Sequence, residues 1–173
     1  TLGGTSSVYT NFVKFGGAGT ATNRDRFIVL KAQDTSAVNY FGIKACRGNG
    51  VNGGDVPEES LLVQYQLAGA TTWTPIDVII NATAARTDPL SGMIVPACGQ
   101  NESHDGTSTN TLWYTYAVVM PNAAKAPGTK IRLYQERSEQ GGQDHSSGGD
   151  FDHYGICEFI SVSYTHLRAH ETV

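Results

Sequence analysis

Apolar and polar residues alternate in several short runs along this chain, and a period of two residues is typical of half-buried β-strands. In the clearest run, LLVQYQL at 61–67, apolar residues take every second position from Leu61 to Leu67, with Gln64 and Gln66 between them. No run shows a long pattern with the period of about 3.6 residues that marks an amphipathic helix. Runs rich in β-branched and aromatic residues predict further strands at 12–15, 26–31, 38–46, 73–80, 111–120, 129–136 and 154–163, with a short edge strand near 93–95.

Glycine, proline and small polar residues separate these runs, as expected for turns. The segment AGATT at 68–72 lies between two strand-like runs and predicts a β-hairpin. Longer turn-rich segments at 47–60 and 81–110 predict surface loops, where binding residues often lie. Roughly eight to ten strands without a helix predict an all-β fold, and we expect a jelly-roll β-sandwich of two antiparallel sheets.

Composition agrees with this fold class. A chain of 173 residues fits one domain, and its 20 glycines and 16% charged residues suit a protein of many strands and turns. The net charge of −4, with no basic run, argues against binding nucleic acid through its phosphates. No stretch of about 18 apolar residues occurs, so we expect no membrane span.

The two ends of the chain differ from its middle. Residues 1–11 are mostly small and polar, and we expect a flexible N-terminal arm or donor strand ahead of a jelly-roll domain at 12–162. The start at Thr1 rather than methionine predicts a processed product or a fragment. The tail at 163–173, SYTHLRAHETV, resembles a peptide produced when sequencing-adapter DNA is translated, and we expect it to carry no function.

The last predicted strand holds an acidic residue in an apolar setting. Because residues two apart on a strand share a face, we expect Ile156, Glu158 and Ile160 all to point into the core. A buried carboxylate is costly unless another group satisfies it. The preceding segment DHSSGGDFDH is rich in oxygen ligands and could wrap a hard cation such as calcium, or it could be a solvated loop. In the second case Glu158 would pair with Lys130 or Arg132.

Catalytic arrangements are weak in this sequence. A glycosidase pair would have to combine Glu102 or Asp105 with Glu158, and nothing fixes their separation. No GxSxG nucleophile motif occurs, and Glu158 should disfavour the thiolate of Cys157. A transition-metal site at His145, Asp152 and His153 matches no standard spacing. We therefore expect a protein that is not an enzyme.

Cysteines and sequons point to the compartment. Three cysteines allow one disulfide, for which Cys46 and Cys98 are our expected pair, with Cys157 left over; the sequence alone does not settle this pairing. Asn81 and Asn101 each begin an N-glycosylation sequon. Together they predict a secreted, extracellular glycoprotein that carries N-linked glycans.

Aromatic residues offer an alternative function. Trp73, Trp113, Tyr114 and Tyr116 could form a surface on which sugar rings stack, although such residues more often belong to a core and its rim. This surface would make the chain a carbohydrate-binding, lectin-like module.

The segment PNAAKAPGTKIRLYQ and, in order along the chain, RFIVLKAQDTS and FDHYGICEFI form a recognisable series of motifs. This series resembles the β-jelly-roll subrepeat of reelin and its relatives. The resemblance covers 12–162, and PNAAKAPGTKIRLYQ is its most specific part. Departures occur at Ala68-Gly69-Ala70, where the family has an Asp and a Gly pair, at Cys157, where it has an acid, and at Tyr154, where it has a tryptophan. The other matching motifs are GGDVPEES with LLVQYQ and TTW, and VVMPNAAKAPGTKIRLYQE.

The resemblance implies a non-enzymatic extracellular module with calcium as a structural clip. Asp34, Asp152 and Glu158 occupy the family's matching acidic positions. The expected function is that of a secreted structural or adhesive glycoprotein module that self-associates into a fibre or matrix. Strand addition by the N-terminal arm would form the homo-oligomer or filament, and another extracellular protein or a glycan would be a further partner.

Overall fold

The computed structural model describes residues 5–6, 13–16, 26–48, 60–81, 84–95, 112–135 and 153–162. These ranges hold eleven strands and one turn of 3-10 helix at Asn122–Ala124. The strands are β1 (Thr5–Ser6), β2 (Val13–Gly16), β3 (Arg26–Val29), β4 (Tyr40–Gly48), β5 (Leu61–Gln66), β6 (Thr74–Ile80), β7 (Arg86–Thr87), β8 (Ile94–Val95), β9 (Leu112–Val119), β10 (Lys130–Gln135) and β11 (His153–Val162).

Two antiparallel sheets face each other across an apolar core. One has five strands in the order β1-β9-β4-β11-β2, and the other has four in the order β3-β10-β5-β6. Strands β7 and β8 pair only with each other. The predicted all-β sandwich of antiparallel sheets is confirmed, while its jelly-roll connectivity stays a prediction.

The core forms because alternate residues of each strand point between the sheets. From the five-stranded sheet, Phe41 and Ile43 on β4 are buried, and Phe41 stacks on Phe159 of β11 with ring centroids 5.2 Å apart. From the four-stranded sheet, the fully buried side chains include Val63 and Leu133. Each run predicted as a strand corresponds to an observed strand, including the short one near 93–95. The predicted hairpin at 68–72 joins β5 to β6.

Strand β11 corrects one expectation. Its pairing with β4 shifts between Ile156 and Glu158, so Cys157 is the extra residue of a β-bulge. The bulge reverses the alternation, so Ile156 points into the core but Glu158 and Ile160 point outward and are exposed. The expectation that all three share the buried face is therefore wrong, and Glu158 needs no buried partner.

Two buried threonines fasten the connections that cross between the sheets. The chain passes from β3 to β4 at Thr35 and from β9 to β10 at 120–129. The Thr35 hydroxyl donates to the Ala124 carbonyl oxygen (2.6 Å), and the Thr129 hydroxyl donates to the Ala126 carbonyl oxygen (2.9 Å). Both threonines are almost fully buried, so these hydrogen bonds satisfy hydroxyls that would otherwise be costly. The Thr35 bond links the two crossings, whereas the Thr129 bond lies within the second crossing.

Gly128 is required where two turns approach each other. Its φ of +76° lies in the left-handed region, and a Cβ built on it would be 3.1 Å from the Cβ of Ala68. Gly69, in the turn between β5 and β6, has a similar φ of +75° but no atom within 4 Å of its would-be Cβ.

This contrast predicts unequal effects of one substitution at two glycines. Gly69→Ala should lower the free energy of unfolding by about 1 kcal/mol, because only the left-handed backbone is disfavoured. Gly128→Ala should lower it by about 2 kcal/mol or more, because Ala68 must also move. Urea denaturation of both variants measures the difference, and equal losses would show that the approach of Ala68 is no constraint.

Candidate functional site

The outer surface of the four-stranded sheet is the strongest candidate for a binding site. We call it the aromatic face and define it by Phe27, Val29, Trp73, Arg132 and Tyr134. On β10, Ile131 and Leu133 point into the core, so the residues between and after them point outward. Phe27 of β3 pairs directly with Tyr134 of β10 in the sheet.

Three rings surround the guanidinium of Arg132. Its Cζ atom lies 4.5 Å from the ring centroid of Trp73, 4.6 Å from that of Tyr134 and 5.6 Å from that of Phe27. A cation within about 6 Å of a ring is attracted to its negative face, by about 0.5–1 kcal/mol where the pair is exposed. The Arg132 Nε–H also donates to Gln64 Oε1 (2.6 Å) across the β5–β10 pairing. Arg132 is therefore held from several sides.

The aromatic face presents a broad apolar surface to solvent. Phe27 remains 53% exposed and Val29 42% exposed, although both lie on a regular strand of a packed sheet. Trp73, Arg132 and Tyr134 are half-buried beside them. Aromatic rings beside a cation can stack on ring-shaped ligands and hydrogen-bond their polar edges.

The aromatic face corrects the sequence-based set of stacking residues. Tyr116 is 3% exposed and points into the core with Tyr114, so these two follow the core alternative that the sequence left open. Trp73 does lie on an outer face, and the side chain of Trp113 lies outside the described part of the chain. The residues that were missed, Phe27 and Tyr134, could have been found from alternation in RFIVLK and KIRLYQ, which places them outward.

A polar cluster joins the two sheets at the β6 edge, and we call it the seam cluster: Asp77, Arg86 and Asp88. Arg86 binds Asp77 of β6 and also donates through the same Nη2 atom to the carbonyl oxygen of Ala117 on β9. Asp88 Oδ2 accepts the Ala117 N–H (3.0 Å). The Arg86 and Asp88 side chains are 9% and 2% exposed. The cluster therefore connects β6 with β9.

The carboxylate of Asp88 is satisfied by its own loop. Its Oδ1 accepts hydrogen bonds from the N–H of Leu90 (3.1 Å), the N–H of Ser91 (2.9 Å) and the Ser91 hydroxyl (3.0 Å). Burial opposes ionisation of this carboxylate, but the hydrogen bonds from Ser91, Ala117 and Leu90 outweigh burial and lower the pKa of Asp88. The hydrogen bonds of Asp88 are made to backbone and loop groups of the protein itself. The seam cluster is therefore assigned a role in stability rather than in binding a ligand.

Two of the three residues expected to bind calcium can be placed. Asp34 is exposed in the turn before β4, where its Oδ1 accepts the Ser36 N–H (3.0 Å). Hydrogen bonds from Ser36 lower the pKa of Asp34. Glu158 lies on the outer face opposite Lys44, and Asp152 lies outside the described residues. Within the described ranges, no three His, Cys, Asp or Glu side chains come together as a metal site. Calcium binding stays a prediction.

The cysteines are described only in part. Cys157 is a free thiol, and burial together with the charge of Glu158 raises its pKa, as expected from the sequence. Cys46 lies on β4 opposite Gly155, but its side chain and all of Cys98 fall outside the description. The Cys46–Cys98 disulfide stays a prediction.

The sequons are also described in part. Asn81 follows β6, and its Oδ1 accepts the Ala84 N–H (3.0 Å). Asn101 lies outside the described residues, as do Glu102, Asp105 and His145. Glycosylation therefore stays a prediction.

Comparisons with known proteins give no assignment. Neither protein-family models nor curated protein sequences match this chain. The resemblance to the reelin subrepeat therefore stays a prediction. In the described part of the chain, no helix has the length and apolar character needed to cross a membrane.

The seam cluster predicts a specific loss of stability. Asp88→Asn replaces one carboxylate oxygen with an NH2 donor, so the bonds that Ala117 and Arg86 donate to Oδ2 and those that Leu90 and Ser91 donate to Oδ1 cannot both be retained. We expect the free energy of unfolding at pH 7 to fall by about 3 kcal/mol in urea denaturation. Asp34→Asn is the control, because that carboxylate is exposed in its turn, and its effect should be much smaller.

The loss of stability in Asp88→Asn should also depend on pH. Because the folded pKa of Asp88 lies below the unfolded value of about 3.9, its stabilisation is fully present above that value and is lost as the pH falls through the folded pKa. The difference in unfolding free energy between the wild type and Asp88→Asn should therefore shrink below about pH 4. Urea denaturation between pH 7 and pH 3 tests this, and a pH-independent difference would contradict the ionised state of Asp88.

Proposed function

We propose that this chain is a secreted, non-enzymatic adhesive module that binds carbohydrate through its aromatic face. The observation that carries the proposal is the exposure of Phe27 beside Trp73 and Tyr134 on one sheet surface. Apolar rings at the surface of a β-sandwich are costly to leave in water, and contiguous ones mark interaction sites.

The geometry of the face suits a sugar ring. The apolar C–H surface of a pyranose can stack on an aromatic ring, and its hydroxyls need donors and acceptors at the edge of the ring. Here Phe27 supplies an exposed ring, and the half-buried Arg132 supplies a polar group on the same sheet, held in place by Gln64. Rigid strands hold these groups, so little order has to be gained on binding.

The remaining features of the proposal come from the sequence. The sequons at Asn81 and Asn101 support an extracellular glycoprotein, and the reelin-like motifs support a jelly-roll adhesive module in which Asp34, Asp152 and Glu158 hold a structural calcium ion. These parts are separate from the aromatic face, and carbohydrate binding does not depend on them.

Self-association is the second candidate function, and one observation favours it. Among the residues that the structure describes, β1 pairs with β9 at two positions, Thr5 opposite Trp113 and Ser6 opposite Leu112. A short terminal strand at the edge of a sheet can exchange between copies, because the same pairing forms within one chain or between two. A fibre or matrix module would use this edge rather than the aromatic face.

Carbohydrate binding predicts a loss on substitution of the exposed ring. Phe27→Ala should weaken binding to a glycan found on an array by about tenfold or more, since aromatic contacts often dominate recognition. Ile160→Ala is the matched control, because Ile160 is an exposed apolar residue on the outer face of the other sheet. Isothermal titration measures both affinities, and equal binding by the wild type and Phe27→Ala would contradict the proposal.

Self-association predicts a different result. Deletion of residues 1–11 removes β1 and should convert any assembly into a folded monomer, because β1 lies at the edge of its sheet. Light scattering coupled to size-exclusion chromatography measures the mass. Assemblies that survive the deletion would exclude strand exchange by the arm.

A further inference from the structure

The charged side chains that the structure describes on the outward side of β3, β5 and β10 have one sign, and they are Arg132 of the aromatic face and its neighbour Lys130. On β10, Lys130 and Arg132 lie two residues apart and point to the same side as Tyr134. They pair across the sheet with Gln66 and Gln64 of β5, which are uncharged. At the outward positions of β3, β5 and β10 that the structure describes, these two cations are the charged side chains.

This local charge contrasts with the charge of the whole chain. The sequence has 16 acidic and 12 basic residues, so a randomly chosen surface would be acidic. The cationic residues of β10 therefore give this surface a charge opposite to the net charge of the chain, and such a charge attracts anions. Local charge of this kind raises the rate of encounter with an oppositely charged ligand and selects against like-charged ones.

Arg132 is oriented for anion recognition before a ligand arrives. The rings of Trp73 and Tyr134 lie against its guanidinium, and Gln64 accepts its Nε–H. A planar guanidinium matches carboxylate and sulfate groups through paired N–H donors. Side chains that are already ordered lose less entropy on binding, and neighbouring rings exclude water and strengthen the attraction of opposite charges.

We propose that the ligand of the aromatic face is an acidic polysaccharide whose carboxylate or sulfate groups bind at Lys130 and Arg132. This inference rests on the proposed carbohydrate-binding function and names the class of carbohydrate. Residues two apart on a strand are separated by about 7 Å, so one strand offers two cationic positions in a row. A sugar unit of the same polymer stacks against Phe27, which lies beside Tyr134 on the neighbouring strand.

The test compares polymers that differ only in charge. Dextran and dextran sulfate share one backbone, and alginate supplies carboxylates in place of sulfates. The full chain should bind dextran sulfate or alginate at least about tenfold more tightly than dextran by isothermal titration at low salt. The affinity should fall as salt rises from 50 to 300 mM, because the charges are partly exposed. Comparison of alginate with dextran sulfate identifies which anionic group is preferred.

Two substitutions locate the binding. Lys130→Gln removes one exposed charge from a strand end and should weaken binding to the acidic polymer about fivefold without loss of the fold. Arg132→Lys keeps the charge but loses the planar fork, and it should weaken binding by a similar factor. Lys44→Gln is the matched control, since Lys44 points outward from the five-stranded sheet, and it should leave the affinity unchanged.

Each remaining result overturns a defined part of the proposal. Equal binding to dextran and dextran sulfate, with no dependence on salt, would overturn acidic specificity but leave carbohydrate binding by the face intact. Acidic binding that survives both Lys130→Gln and Arg132→Lys would place the site elsewhere on the chain. Binding to none of the polymers, together with a silent glycan array, would overturn the carbohydrate-binding function itself.

Discussion

The fold depends on a buried arginine that joins β6, at the edge of the four-stranded sheet, to β9 of the five-stranded sheet. A strand without a neighbour presents backbone N–H and C=O groups that need partners, and at Ala117, beyond the described pairing of β9 with β1, side chains bind both groups. Arg86 supplies the donor and Asp88 the acceptor, so the pair takes the place of a neighbouring strand. Because Arg86 also binds Asp77 on β6, the same contact closes one side of the sandwich. Removing charges from water is costly, and here hydrogen bonds from the loop of Asp88 offset that cost.

The seam cluster joins the sheets at one edge and does not cover the outer surface of the four-stranded sheet. The seam lies at the β6 edge, whereas the aromatic face is centred on β10 and β3. The two inner faces supply the core, and the proposed binding surface uses outward positions of the same strands. Leu133 is therefore fully buried while its neighbours Arg132 and Tyr134 lie on the outer surface.

Alternation was enough to predict the longer strands, because burial on one face imposes a period of two residues, but the two-residue strand β7 lies in a segment predicted as a loop. It failed where a single residue changes the register. The bulge at Cys157 turns Glu158 outward, and nothing in the local sequence marks the inserted residue. The seam was also missed, because Arg86 and Asp88 occur in a polar segment that reads as a loop, and their partner Ala117 is about thirty residues away along the chain. Cross-strand groupings such as Phe27 with Tyr134 depend on pairing between distant strands, which the sequence alone does not specify.

Hydrogen exchange at the Ala117 amide tests the role of the seam most directly. Alternate amides of β9 point toward β4 or toward the edge, and an edge amide without a partner exchanges quickly. If Asp88 binds this N–H in a buried cluster, Ala117 should exchange about as slowly as Tyr116 of the same strand, measured residue by residue by NMR in deuterated buffer near pH 7. Fast exchange at Ala117 beside a protected Tyr116 would contradict the seam as the contact that closes the fold.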